Sequence, residues 1–208
     1  FDTKGVLLQI RKELINAATP MEWMEAWLQI ESRATSLLSF QMTVVPGLLQ
    51  TKEYATAVFQ AAKHLGDIDA MVKARLERQR ILTTEDSSLT MVALLFEAVL
   101  MSNVGGPQVM HDQLMHVADL AEQGRIVVQI IPFTAEVCAG FLAPFVIAGF
   151  DSGEAAYVDD QLSGEVVREP ENVAILRGLF ERFRAEALSG PESIKLIRRT
   201  AEERWNAK

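Results

Sequence analysis

The apolar positions of this chain fall at helical spacing through its first part and in short, nearly unbroken runs through its middle. Val6, Leu7, Ile10 and Leu14 recur as one helical face. Thr19-Pro20-Met21-Glu22 then combines an N-cap threonine, a proline in the first turn and a glutamate three residues after the cap. That box predicts a helix running to about Phe40, with Trp23, Trp27, Ile30, Ala34, Leu37 and Leu38 as its apolar stripe. Pro46-Gly47 marks a turn and Thr51 an N-cap, so a second helix is predicted from about Lys52 to His64, with Gly66 as its stop. A third, from about Ile68 to Thr83, puts Ile68, Met71, Val72, Leu76 and Leu82 on one side. Lys73, Arg75, Glu77, Arg78 and Arg80 lie on the other.

The pattern changes after residue 88. Leu89 to Leu95 reads as a buried strand, although so short a run also suits a helix. Gly105-Gly106-Pro107 punctuates, and a helix from about Gln108 to Gln123 ends at Gly124. Three strands are predicted next: Ile126 to Ile131, Pro144 to Phe150 and Ala155 to Asp159. The last two are joined by a hairpin turn at Asp151-Ser152-Gly153-Glu154. Glu169-Pro170-Glu171 opens a helix with Val173, Leu176, Phe180, Phe183 and Ala187 inward. Ser189-Gly190-Pro191-Glu192 opens a last, more polar helix ending near Trp205. These elements predict an α+β domain: a helical N-terminal half (about 5–84) packed on a small mixed sheet of about four strands (about 89–160), closed by C-terminal helices (about 170–206). The whole of 1–208 reads as a single domain.

Composition narrows the function classes. A net charge of −8 disfavours duplex DNA or RNA as a direct partner, because phosphate binding needs a basic face. The single cysteine, Cys138, excludes a disulfide within the chain and makes a reducing cytoplasm the expected compartment. No signal peptide opens the chain, and the run from Leu89 to Met101 is too short to span a bilayer, so no membrane association is expected. His64, His111 and His116 do not make a metal-ligand pair, and no metal or cofactor is expected. There is no Gly-x-Ser-x-Gly elbow, no Cys-His pairing and no phosphate loop, and the chain is not read as an enzyme. Two places carry chemistry worth following. Glu97 sits in the most apolar window, where a carboxylate must be protonated or paired. It is either a ligand-binding or catalytic acid, or a structural partner for a base such as one of the Arg75/Arg78 helix. The Arg75, Arg78, Gln79, Arg80 cluster is either an anion site or a solvated, internally paired face.

The most distinctive stretch is Val45-Pro46-Gly47-Leu48-Leu49-Gln50-Thr51-Lys52-Glu53-Tyr54-Ala55. It resembles the VPGLLQTxEYA signature of an actinobacterial, antitoxin-like XRE family of helix-turn-helix transcription regulators, in which a domain of unknown function follows the DNA-binding one. Further pieces keep the same order. Trp27-x-x-x-Glu31-x-x-Ala34 and Val72-x-x-Arg75-Leu76-x-Arg78-Gln79-x-x-Leu82 are similar to two helices of the family. Glu97-Ala98-Val99-Leu100 and Val109-Met110-His111-Asp112-Gln113-Leu114 resemble its next elements, followed by Val128-Gln129-Ile130-Ile131-Pro132 and Pro144-Phe145 to Phe150. The match spans roughly residues 20 to 188; Asp159 stands where many relatives place Glu, and no function hangs on that difference.

The resemblance implies a regulatory or partner-binding domain of a DNA-binding transcription regulator. A helix-turn-helix domain is then expected upstream of Phe1, and DNA would be contacted only through it. Its partner would be a small protein from an adjacent gene or a second copy of the chain. The signature residues Val45, Pro46, Gly47, Leu48, Leu49, Gln50, Thr51 and Tyr54, with Arg75, Arg78, Gln79 and Glu97, are the candidate partner surface. The alternative is a small-ligand-sensing or enzymatic domain with a pocket around Glu97. An exposed apolar groove would favour the first reading and a deep polar cavity holding an acid and an arginine the second.

Overall fold

The computed structural model describes residues 22–62, 67–84, 87–140, 143–159 and 164–206. The predicted helix over Val6 to Leu14 and the Thr19 capping box lie outside them, as does Gly66. The elements are α1 (Glu22–Glu31), β1 (Ser36–Gln41), a 3-10 turn (Gly47–Leu49), α2 (Lys52–Ala61), α3 (Ile68–Arg78), α4 (Arg80–Thr83), β2 (Thr90–Phe96) and α5 (Ala98–Met101). They continue as α6 (Pro107–Glu122), β3 (Val127–Ile131), a second 3-10 turn (Glu136–Gly140), β4 (Phe145–Phe150), β5 (Gly153–Asp159), β6 (Gly164–Val167), α7 (Pro170–Arg184) and α8 (Gly190–Arg204). The class is α+β, with helices closing the C-terminal end.

The sheet has six strands in the order β3-β2-β1-β4-β5-β6, against about four expected. β1 runs parallel to β2 and β2 parallel to β3, with helices as crossovers. β4, β5 and β6 add on antiparallel, and β4 pairs with β1. The main correction to the sequence reading is β1. The helix predicted to reach Phe40 stops at Glu31, where the Ser32 hydroxyl donates to Gln29 O. Ser36–Gln41 is instead a central strand. Both of its faces are covered, with Leu37 and Ser39 on one and Phe40 on the other, so the alternation that marks a half-exposed strand is missing. At Gly149, opposite Ser36, a Cβ would crowd the Ser36 hydroxyl, which would have to turn aside. The sheet thus starts inside the segment read as helical, and β6 extends it past residue 160.

The other elements follow local chemistry. Thr51 caps α2 by accepting from Tyr54 N, and Asp67 caps α3 by accepting from Ala70 N. The predicted helix to Thr83 is broken at Gln79 into α3 and α4. Gly105 and Gly106 take φ of 72° and 93° before Pro107 opens α6, and Gly124 at φ 72° ends it. α8 carries a full capping box between Ser189 and Glu192.

Two cores sandwich the sheet. On one face Leu37, Ala93, Leu95, Val128 and Ile130 meet Trp27 of α1, Tyr54 of α2, Leu114 of α6 and Ile197 of α8. On the other, Phe40, Leu94, Phe145 and Ile147 meet Phe180 and Phe183 of α7. Each fully buried Leu or Phe contributes roughly 1.5–3 kcal/mol relative to exposure, so these layers hold the sheet between the helices. The outer edge of β3 is taken up by the α7–α8 connection and the first turn of α8: Leu188 N donates to Ile130 O, and Ile130 N donates to Ser193 Oγ. Among the described residues no helix is long and apolar enough to cross a membrane.

Candidate functional site

The loop from β1 to α2 carries the signature, and its backbone groups are met one by one by side chains. Val45 N donates to Tyr54 Oη at 3.1 Å, and Gln50 Nε2 to Val45 O at 2.7 Å. Gln79 Nε2 reaches from the α3–α4 break to Gly47 O and Gln50 O, at 3.0 and 2.7 Å. Gln113 of α6 is fully buried; its Nε2 donates to Leu49 O and its Oε1 accepts from Thr51 N, both at 2.7 Å. Leu48, Leu49 and Tyr54 are buried in the first core. Burial pushes the Tyr54 phenol up, against the pull of its bond to Val45. With six of its backbone groups held by side chains, the loop from Val45 to Thr51 forms a braced wall.

Against this wall α3 lays Arg75 and Arg78. Gly47 lets them come close, because a Cβ there would sit 2.7 Å from Arg78 Nη2 and 3.6 Å from Arg75 Nε. Arg78 Nε lies 3.0 Å from Glu31 Oε1 on α1. The pair is close enough for charge attraction, yet neither atom is aligned for a directed hydrogen bond. Glu31 is 4 % exposed. Burial raises its carboxyl above the usual range, opposed first by Arg78, then by a bond from the Trp27 side chain and by Arg75. Arg75 stacks its guanidinium 4.1 Å over the Phe59 ring and donates from Nη1 to Gln50 Oε1 at 2.7 Å. Burial, then repulsion from Arg78, pushes Arg75 down to about 10 against the pull of Glu31, so it stays charged near neutral pH. Among the described residues no carboxylate pairs with Arg75 as Glu31 pairs with Arg78.

Between α1, the loop, α3 and the sheet lies a cavity of about 250 Å³. Arg75, Arg78, Glu31, Gln50 and Ser39 supply its polar lining, and Met24, Trp27, Leu48 and Met91 part of its apolar lining. The Ser39 hydroxyl, 1 % exposed, has no hydrogen-bond partner among the described residues. Tyr157 stacks on Trp27 with ring centroids 5.3 Å apart, and exposed Asp159 stands at the solvent end. A second cavity, of about 450 Å³, lies beside α7, where Arg177 already holds Glu154.

The structure therefore gathers the signature loop, Arg75, Arg78 and Gln79 into one site and leaves Glu97 out of it. Glu97 is half-buried at the end of β2, where its Oε2 accepts from Phe133 N at 2.8 Å. The expected partner helix pairs with Glu31 instead, so the cavity with an acid and an arginine forms around Glu31 and not around Glu97. Glu31, Trp27 and Ser39 were missing from the sequence-predicted site. The first two stand four apart in the Trp-x-x-x-Glu-x-x-Ala pattern, a spacing that places them on one helix face. Ser39 had no such signal. Among the described residues no group of three or more His, Cys, Asp or Glu could hold a metal ion.

No curated protein matches the sequence. Residues 24–199, most of the chain, match the family described as Domain of unknown function (DUF5753), and the chain belongs to that family.

Proposed function

We propose that this chain is the regulatory, ligand-sensing domain of an antitoxin-like, XRE-type helix-turn-helix transcription regulator acting in the cytoplasm. The observation that carries the sensing role is the convergence of the signature loop and the arginine helix on one concave, partly open cavity with a small polar cluster in a mainly apolar lining. Concave sites with a mainly apolar lining and a few convergent polar groups are where small ligands bind. The regulator context rests on the ordered resemblance of the motifs, which runs through the same loop and helix. DNA contact belongs to a domain upstream of Phe1, in keeping with the net charge of −8. The role is read as binding, with Glu31 serving as the structural partner of Arg78.

A partner-protein surface is the second reading, favoured by Phe133, which is 53 % exposed and packs edge-on against Phe96. The other large exposed hydrophobics, Val127 and Ile175, sit on different elements, and singly scattered apolar side chains are ordinary on a protein surface. The test is to read the coding sequence ahead of Phe1 and to titrate the complete protein against its own promoter. A helix-turn-helix in frame, with operator affinity altered by Arg75→Gln and not by Phe133→Ser, is the expected result. The reverse pattern would favour the partner surface, and an upstream domain of another class would end the regulator reading.

A further inference from the structure

We infer that the cavity between α1, α3 and the signature loop takes a small organic carboxylate, with its carboxylate on Arg75 and Ser39 and its apolar body on Trp27, Met24 and Met91. This deepens the ligand-sensing role proposed above and rests on it. Charge is the first argument. The enclosed end holds two guanidinium groups and one carboxylate, Glu31, which leaves one positive charge in excess if all three are ionised. Asp159 is exposed at the solvent end, where water and salt screen it. The excess charge lies at Arg75, which feels Glu31 at longer range but, among the described residues, lacks the contact pair that Arg78 makes with it.

Arg75 is also pre-organised. Phe59 stacks under its plane and Gln50 fixes Nη1, while no hydrogen bond is made by Nε or Nη2 within the described residues. A planar fork with free donors matches the two oxygens of a carboxylate. Ser39 supplies an independent observation. Its hydroxyl is buried in the cavity wall without a partner among the described residues, a condition that costs free energy unless something in the cavity completes it. Size and lining set the rest of the ligand. About 250 Å³ exceeds the roughly 150 Å³ of an apolar cavity that binds benzene, so a small ring or a short branched chain fits. The Trp27 ring, stacked on Tyr157, gives that body a flat apolar surface.

The probe is phenylacetate, with phenylacetamide as its neutral isostere and inorganic phosphate as an anion without an apolar body. Binding to the 208-residue chain is followed by nuclear magnetic resonance. Phenylacetate is expected to shift the Trp27 and Ser39 signals, with phenylacetamide and phosphate at least about tenfold weaker, roughly the 1.4 kcal/mol of one lost charged contact. Arg75→Gln should abolish the preference for the acid over the amide. Arg75 also braces the loop, so Ser39→Ala is the companion variant. It should fold at least as stably as the unaltered chain, since it removes an unpaired hydroxyl, and still bind phenylacetate several-fold more weakly. A merely structural serine would not separate these two readouts. Equal binding of acid and amide, full binding by both variants, or no binding of phenylacetate at millimolar concentration would overturn the inference. Phosphate or the amide binding at Trp27 as tightly as phenylacetate would overturn the carboxylate alone and leave the sensing role standing. That role falls separately if Arg75→Gln leaves operator affinity of the complete protein unchanged.

Discussion

Replacing Gln113 by Leu removes the side chain that ties the signature loop to α6 while nearly keeping its volume. Gln113 is fully buried and makes two 2.7 Å hydrogen bonds, donating to Leu49 O and accepting from Thr51 N. Leucine leaves both backbone groups without that partner. A buried backbone group left unpaired costs about 1–3 kcal/mol, and water can reach Thr51 N because Thr51 is half-buried, so the expected loss is about 2–4 kcal/mol. For a chain of this size about 1 kcal/mol moves the melting temperature by about 2–4 °C, giving a fall of roughly 4–16 °C. Urea titration should show a lower midpoint at unchanged slope, the sign of lost stability without a change in the unfolded state. Gln113→Glu adds a sign test. Protonated, the new side chain can both donate to Leu49 O and accept from Thr51 N; ionised, it cannot donate and is buried besides. Its folded pKa is therefore raised, and its stabilising contribution, present in acid, is lost as pH rises through that value. If Gln113→Leu stays within about 0.5 kcal/mol of the unaltered protein, or Gln113→Glu shows no acid recovery, the loop is not held by this glutamine and the braced-wall argument fails.

Three further outcomes are expected. Leu49→Ala should cost about 2–5 kcal/mol in thermal unfolding, because Leu49 is fully inside the first core; unchanged stability would contradict its place there. Glu31→Gln removes a carboxyl whose folded pKa is raised above 4.5 by burial. The contribution linked to its protonation is complete below about 4.5 and lost as pH rises through the folded value, so the stability of the unaltered protein relative to the variant should decline with rising pH. A flat difference in urea titrations across pH would refute it. The chain alone should show no sequence-dependent binding to promoter DNA at moderate salt, given its net charge of −8, and a nanomolar, sequence-dependent isotherm would contradict that.

Much of the fold was legible where one short stretch decides the geometry. The Thr51 cap, the Gly124 stop, the Asp151-Ser152 turn and the Ser189 box each need only neighbouring residues, and each is where the sequence puts it. β1 was not legible. Ala34, Leu37 and Leu38 continue a helical spacing, and a strand covered on both faces does not announce its period of two. The site divides the same way. The signature loop and the Arg75–Gln79 helix stood out as motifs, but their meeting with Glu31 depends on α1 and α3, distant in sequence, lining the same cavity. Glu97 attracted attention as an acid in an apolar run, yet the turn after β2 brings it partly to the surface, where a backbone N–H from Phe133 suffices.

The central place of β1 bears on how the protein is made. The first described strand cannot gain its second neighbour until β4 exists, and the Thr35 hydroxyl meets Gly149 O across 114 residues of chain. At about 5–20 residues per second of synthesis, that interval is roughly 6–23 s, far longer than the microseconds in which local helices form. Throughout it, one edge of Leu37 and Phe40 waits on the ribosome without a strand to pair with. Timing at translation, by chaperones or by slow codons ahead of β4, is then a lever on the yield of folded protein that no purified-protein measurement would reveal.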